Sequence, residues 1–208
     1  MIKINVEQGS EAWFQNKLGR LTASKYSTLM SGKSTKGYND LIHDISCEII
    51  SGKMEETYSN DDMQRGTELE GDARKLYEEL FDKDVSQIGL CIPDEDNEFH
   101  NWIGISPDGI CEEGLLEIKC PKAKTHWNYI QKGIMVTTYR WQVQGQLYVT
   151  GAEWCDFMSY HPDLKPFIIR VYPDEQMHNE LETRIRETIV LIKNQIENYN
   201  KYNYKLKN

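Results

Sequence analysis

The chain has 208 residues and a formal net charge of −9, with 39% hydrophobic and 11% aromatic residues. That length can bury a sizeable core in one domain, and the apolar share excludes a disordered protein. No apolar run reaches membrane-spanning length and the segment Met1-Ile2-Lys3-Ile4-Asn5-Val6 lacks a signal-peptide core, so a soluble, cytoplasmic protein without a membrane partner is expected.

In chain order, Gln8 to Leu29 reads as a turn, a helix, and a second helix starting at Thr22 or Ser24, both good caps. Lys33 to Gly37 reads as a basic loop. Asp40 to Ile50 is an amphipathic helix with Leu41, Ile45 and Ile49 on one side, and Asp62 to Phe81 is a longer one striped by Leu69, Ala73, Leu76 and Leu80. Strands follow near Val85 to Ile92, Trp102 to Cys111 and Leu115 to Cys120. Helices return at Thr125 to Lys132 and Arg140 to Thr150, with strands at Glu153 to Tyr160 and Phe167 to Val171. Asp174 to Tyr199 closes the chain as a long helix whose apolar series suits packing within the protomer or against a neighbour. Helices flanking a small mixed sheet make an α/β fold. Cys47, Cys91, Cys111, Cys120 and Cys155 are odd in number and widely spaced, which suggests neither a disulfide framework nor a zinc or iron–sulfur site.

The chemistry concentrates where Gly104 to Cys111 and Leu115 to Cys120 form a hairpin through the acidic turn Glu112-Glu113-Gly114. Alternation puts Leu115, Glu117 and Lys119 on one face and Leu116 and Ile118 on the other, with Asp108 able to converge on the first set. Two hard oxygen ligands beside an ammonium suit a divalent cation and phosphodiester hydrolysis. Taken alone, the same text also describes a solvated hairpin with a cross-strand ion pair. The apolar runs Ile103-Gly104-Ile105 and Leu115-Leu116 bury the carboxylates' surroundings, and a charge ending an apolar strand needs a partner.

Charge is unevenly spread. Between Gln15 and Asn39 lie five basic and no acidic residues, and from Leu115 to Arg140 five basic residues against Glu117 alone. A basic groove on an acidic body is the result. Lys17 and Arg20, ahead of a helix starting at Ser24, make a candidate anion site.

Three segments carry a family resemblance: Ser106-Pro107-Asp108-Gly109-Ile110, Leu116-Glu117-Ile118-Lys119-Cys120-Pro121, and Trp141-Gln142-Val143-Gln144-Gly145-Gln146-Leu147-Tyr148-Val149. Upstream stand Trp13, Lys17, Gly19 and Thr22-Ala23-Ser24, then Arg65-Gly66-Thr67-Glu68-Leu69-Glu70-Gly71-Asp72-Ala73-Arg74. In this order they resemble the lambda exonuclease (YqaJ-like) family of the PD-(D/E)xK nuclease superfamily.

The resemblance implies a restriction-endonuclease-like core in one nuclease domain spanning 1–208, its C-terminal helix at 174–200. It implies a Mg²⁺-dependent deoxyribonuclease, Mn²⁺ substituting, that degrades one strand of linear duplex DNA from its 5′ end. The 3′ tails left behind would serve phage-type recombination by strand annealing. Asp108, Glu117, the Ile118 carbonyl and Glu70 would hold two ions, although Glu70 also reads as one of several ordinary helix-surface charges. Lys119 would position or deprotonate the attacking water, with Gln142 beside it. Lys17, Arg20, Ser24, Ser106 and Lys124 would grip phosphates. The chain departs from the pattern at Lys17, where relatives commonly carry arginine, and near Thr125, where Lys122 or Lys124 would substitute for a basic residue. The implied assembly is a ring-shaped homotrimer whose partner is a single-strand annealing protein. A structure-specific or restriction-type endonuclease on the same core, and a non-catalytic DNA-binding recombination module, are the alternatives.

Overall fold

In the computed structural model, which describes residues 1–54 and 61–203, the chain mixes short strands with helices. It runs β1 (Ile2–Ile4), α1 (Glu11–Lys17), β2 (Leu21–Thr22), a 3₁₀ turn (Ala23–Lys25), α2 (Tyr26–Leu29), α3 (Lys36–Ser51) and α4 (Asp61–Phe81). Then come β3 (Leu90–Ile92), β4 (Ile103–Gly104), β5 (Gly109–Ile110), β6 (Gly114–Lys119), α5 (Ala123–Lys132) and α6 (Thr137–Thr150). β7 (Trp154–Ser159), β8 (Phe167–Val171) and α7 (Glu175–Lys201) follow. Ser10, Thr35 and Asp174 cap α1, α3 and α7, each side chain accepting from the backbone N–H three residues on. Among the described residues no helix is long and apolar enough to cross a membrane.

The main sheet has the order β5-β6-β7-β8, with β6 and β7 parallel and the outer pairs antiparallel. β6 and β7 form its centre, and on β6 the alternation of side chains decides what each helix layer meets. Leu116 and Ile118 pack with Ala73 and Tyr77 of α4, whereas Leu115 packs with Val143 and Leu147 of α6 and with Phe157 of β7. Glu117 shares the face of Leu115 and is thereby aimed at α6. Two small pairs, β1 with β3 (antiparallel) and β2 with β4 (parallel), lie outside this sheet. The largest core cluster joins α2, α3 and α7: Tyr26, Leu29, Tyr38, Leu41 and Ile45 meet Leu181, Ile185, Ile189 and Ile192. The apolar face of α7 is thus buried against its own chain.

Several expected elements differ. Trp102 to Cys111 is not one strand: β4 pairs with β2, β5 pairs with β6, and Ser106, Pro107 and Asp108 bridge them in no strand. Pro107 has no N–H to give a ladder, which favours the interruption at that point. Val85 to Ile92 shortens to β3 plus a lone bridge from Ser86 to Ile110. The second helix expected from Thr22 or Ser24 is a 3₁₀ turn and one α-helical turn, where Thr22 makes no side-chain capping bond. The basic loop is shorter than expected because Thr35 starts α3 at Lys36. On α4 the stripe ends in fully buried Tyr77 while Leu80 is 52% exposed; the Tyr77 hydroxyl donates to Asp156 on β7 at 2.7 Å and turns that face to the sheet. On α3, Ile42 is buried and Ile49 exposed. All five thiols are free, with only Cys47 exposed.

Candidate active site

The site forms around the end of β6. Glu117 is 1% exposed, and a buried carboxylate needs donors on both oxygens. It has three: Oε1 accepts from Lys119 Nζ and from Gln142 Nε2 at 2.5 Å, and Oε2 accepts from Gln146 Nε2 at 2.6 Å. Asp108 reaches the same place from the 106–108 link, its Oδ2 accepting the Ile118 backbone N–H at 2.6 Å. α4 is tied across them at two points. Arg65 donates to the Cys120 carbonyl at 2.8 Å and Arg74 to the Asp108 carbonyl at 3.1 Å.

The electrostatics record this crowding. Burial, reinforced by Glu117, pushes the Asp108 carboxyl well above the ordinary carboxylate range, against the pull of Lys119 and the Ile118 N–H. Burial also raises Glu70, with Lys119 lowering it and Glu117 raising it further, which puts α4's carboxylate in electrostatic reach of the pair. Burial alone would lower Lys119, yet the charges of Glu117 and Asp108 outweigh it and hold the ammonium above its usual value. That ammonium lies 5.2 Å from the centroid of the Tyr139 ring, which in turn stacks on Phe157.

Three carboxyl groups around one ammonium, two of them raised by burial and by the charge of Glu117, are a group that a divalent cation would relieve, and their hard oxygens suit Mg²⁺ or Mn²⁺. Among the described residues no three His, Cys, Asp or Glu side chains stand close enough to hold an ion as they are. An ion taking Glu117 Oε1 competes there with Lys119 and Gln142. The donor set fits a divalent cation in chemistry and charge, with Lys119 the group that must yield.

Beside Asp108 and Gln142 opens a recess of about 170 Å³, which also draws on Trp13, Lys17, Ser24 and Ser106. Trp13 Nε1 donates to the Gly89 carbonyl at 2.8 Å and to Ser106 Oγ at 3.1 Å, fixing indole and hydroxyl together. Lys17 Nζ stands 3.5 Å from the Trp13 ring centroid. Burial, then Lys25, push its ammonium down to about 8, against the opposing pull of Glu48. A larger depression of about 710 Å³ lies against α7 around Lys33 and Arg184 and contains none of the expected site residues.

Lys17, Ser24 and Ser106 are thus brought together with Asp108 and Gln142; Glu117 and Lys119 join them through the Gln142 bond, and Glu70 is their electrostatic neighbour. Two expected phosphate ligands are placed otherwise. Arg20 is committed to the carbonyls of Asn16, His100 and Ile103, and burial lowers its guanidinium. Lys124 is exposed in the first turn of α5 and does not line the recess. Gln146 is not among the expected site residues, although its place one helical turn beyond Gln142 gives the signal; the expectation falls on Gln142 alone. Gln144 turns the other way, to the Tyr172 carbonyl and the Asp174 N–H. Gln8 is not among the expected residues either: its amide holds the Ile88 and Pro107 carbonyls and steadies the 106–108 link.

Residues 12–153 match the model of the YqaJ-like viral recombinase domain. The alkaline exonuclease LHK-Exo from Laribacter hongkongensis aligns with a TM-score of 0.84 at 33% identity, over 92% of this chain and 97% of that one. Its complex with dAMP aligns at 0.83 and 34% identity, over 91% and 96%. A phage-related exonuclease from Haemophilus somnus 129PT shares the fold at a TM-score of 0.65 and 14% identity, over 86% and 96%. An uncharacterised protein of Acanthamoeba polyphaga mimivirus is 28% identical over 167 residues, covering 74% of this chain but 29% of that protein. This chain therefore spans less than a third of that relative's length.

Proposed function

The chain belongs to the YqaJ-like viral recombinase family, and from that premise we propose that it is a metal-dependent exodeoxyribonuclease that removes one strand of linear duplex DNA from the 5′ end. The observation that carries the reading is the buried Glu117 carboxylate, hydrogen-bonded to Lys119 and flanked by Asp108 at the mouth of the recess.

Held by Asp108, Glu117, Glu70 and the Ile118 carbonyl, Mg²⁺ (or Mn²⁺), as two ions, would supply Lewis acidity to the phosphate and a more acidic water. Lys119, beside Glu117 and Asp108, would position the attacking water or take its proton and neutralise the developing oxyanion. Gln142 bonds Glu117 at the mouth of the recess and keeps the carboxylate aligned when Lys119 turns to the substrate. Lys17, Ser24 and Ser106 hold the terminal 5′-phosphate. Arg20 is taken up by the carbonyls of Asn16, His100 and Ile103 and is left out of phosphate binding, and Lys124 is left for duplex outside the recess. On the same reading the chain is one nuclease domain, phage-encoded and working in the bacterial cytoplasm. It assembles as a homotrimer and passes 3′ tails to a single-strand annealing protein.

The test is a time course on end-labelled linear duplex carrying a 5′-phosphate or 5′-hydroxyl, beside a closed circle. Linear DNA should shorten from its 5′ ends in Mg²⁺, stop with chelator, and leave circles intact. Lys119→Ala and Asp108→Ala should each slow digestion by about 10²–10⁴-fold. Variants that cut like the native chain would falsify the site. Nicked circles would make it an endonuclease, and binding without turnover in Mg²⁺ and Mn²⁺ a recombination module.

A further inference from the structure

Glu117 has a donor that no part of the proposed mechanism uses. Gln142 bonds the oxygen that also meets Lys119, at the mouth of the recess, while Gln146 bonds the other oxygen from a fully buried position. The two amides stand one helical turn apart on α6, so they approach the carboxylate from two points along one rigid element.

Gln146 is itself held. Its Oε1 faces the Cys155 thiol at 4.0 Å, a long, weak contact that orients the amide with Nε2 towards Glu117. Burial, reinforced by Glu117 and Asp156, pushes the Cys155 thiol well upward, so it remains a protonated donor. The helix carrying both amides is seated from the opposite side by Gly145. A Cβ at that position would overlap the Tyr26 ring, so a glycine lets α6 sit close against α2. Val143 and Leu147 fix the same helix to the sheet through Leu115 and Phe157. Both amides are neutral. They satisfy a buried carboxylate without cancelling the charge that would attract a cation, which an arginine or lysine in either place would do.

We propose that Gln146 is a positioning residue for the metal-binding carboxylate, holding Glu117 Oε2 so that Oε1 keeps its direction when Lys119 leaves it. The inference rests on the nuclease reading, because it concerns what Glu117 holds. Groups that orient metal ligands typically change metal affinity about 10–100-fold when removed. Gln146→Met keeps the volume and removes the donor. Gln146→Asn keeps an amide but shortens it by a methylene, out of reach of Glu117.

The measurement is the rise in melting temperature of the full chain as Mn²⁺ is titrated, with duplex digestion followed in parallel. The native chain should respond, and both Gln146 variants should need at least about tenfold more Mn²⁺ for half of their response. Gln144→Met is the comparison: it removes an equally buried α6 amide that bonds the start of α7, so it should lower the starting melting temperature and leave the Mn²⁺ midpoint unchanged. A native midpoint in either folded Gln146 variant overturns the inference, as does an equal shift in Gln144→Met. If the native chain neither responds to Mn²⁺ nor digests DNA, the nuclease reading fails first and takes this one with it. If the native chain responds and digests while the Gln146 variants match it, the failure belongs to Gln146 alone.

Discussion

Lys17 illustrates how much one side chain can set. Its ammonium is stacked on Trp13, shares its surroundings with Lys25 and Glu48, and is pushed down to about 8. A base with a depressed value is charged below that value and neutral above it. If Lys17 holds the 5′-phosphate as proposed, the preference for 5′-phosphate over 5′-hydroxyl ends should shrink as pH rises through about 8. Lys17→Arg should keep the preference over the same range, because a guanidinium stays protonated there. Initial rates on the two kinds of end would decide, and a flat preference in the native chain would remove Lys17 from end recognition. Asp108, Glu117 and Lys119 were legible at this scale because strand alternation alone forces two of them to one face. Arg20 was not. A basic residue near a helix start reads as an anion ligand whether it faces solvent or, as here, backbone carbonyls contributed from eighty positions away.

At the scale of elements, the long helices and β8 were legible because period and caps are local properties. The interruption at Ser106-Pro107-Asp108 was not, since it depends on β4 finding β2 while β5 finds β6. The packing of α6 was equally hidden. Its glycine carries no periodic signal, yet it sets the depth at which Gln142 and Gln146 approach Glu117. Gly145→Ala should cost about 1–3 kcal/mol of stability by overpacking against Tyr26. Digestion should fall more than the melting temperature suggests, because the displaced helix carries both amides. Thermal melts paired with turnover at a temperature where the variant is folded would separate the two effects. Full turnover in a destabilised variant would show that helix depth does not matter to the site.

For the whole molecule, a net charge of −9 opposes a polyanion at long range, and any DNA affinity must come from local positive groups. Each phosphate contact contributes about −0.9 to the slope of log affinity against log salt. Lys17→Ala in an inactive Asp108→Ala background should therefore flatten that slope by about one below pH 8, where Lys17 is charged. An unchanged slope would place the contact elsewhere. The overall α/β class followed from element order; the pairing of β2 with β4 and of β1 with β3 did not, because register between distant segments leaves no mark in it.

The 106–108 link belongs to no strand, yet it joins Ser106 to the half-buried acid at Asp108, both in the recess lining, through a proline whose φ is fixed. On the proposed reading, a DNA terminus seated in the recess would touch the same short link whose Asp108 accepts the Ile118 N–H, so its seating and the aim of the acid would not be independent.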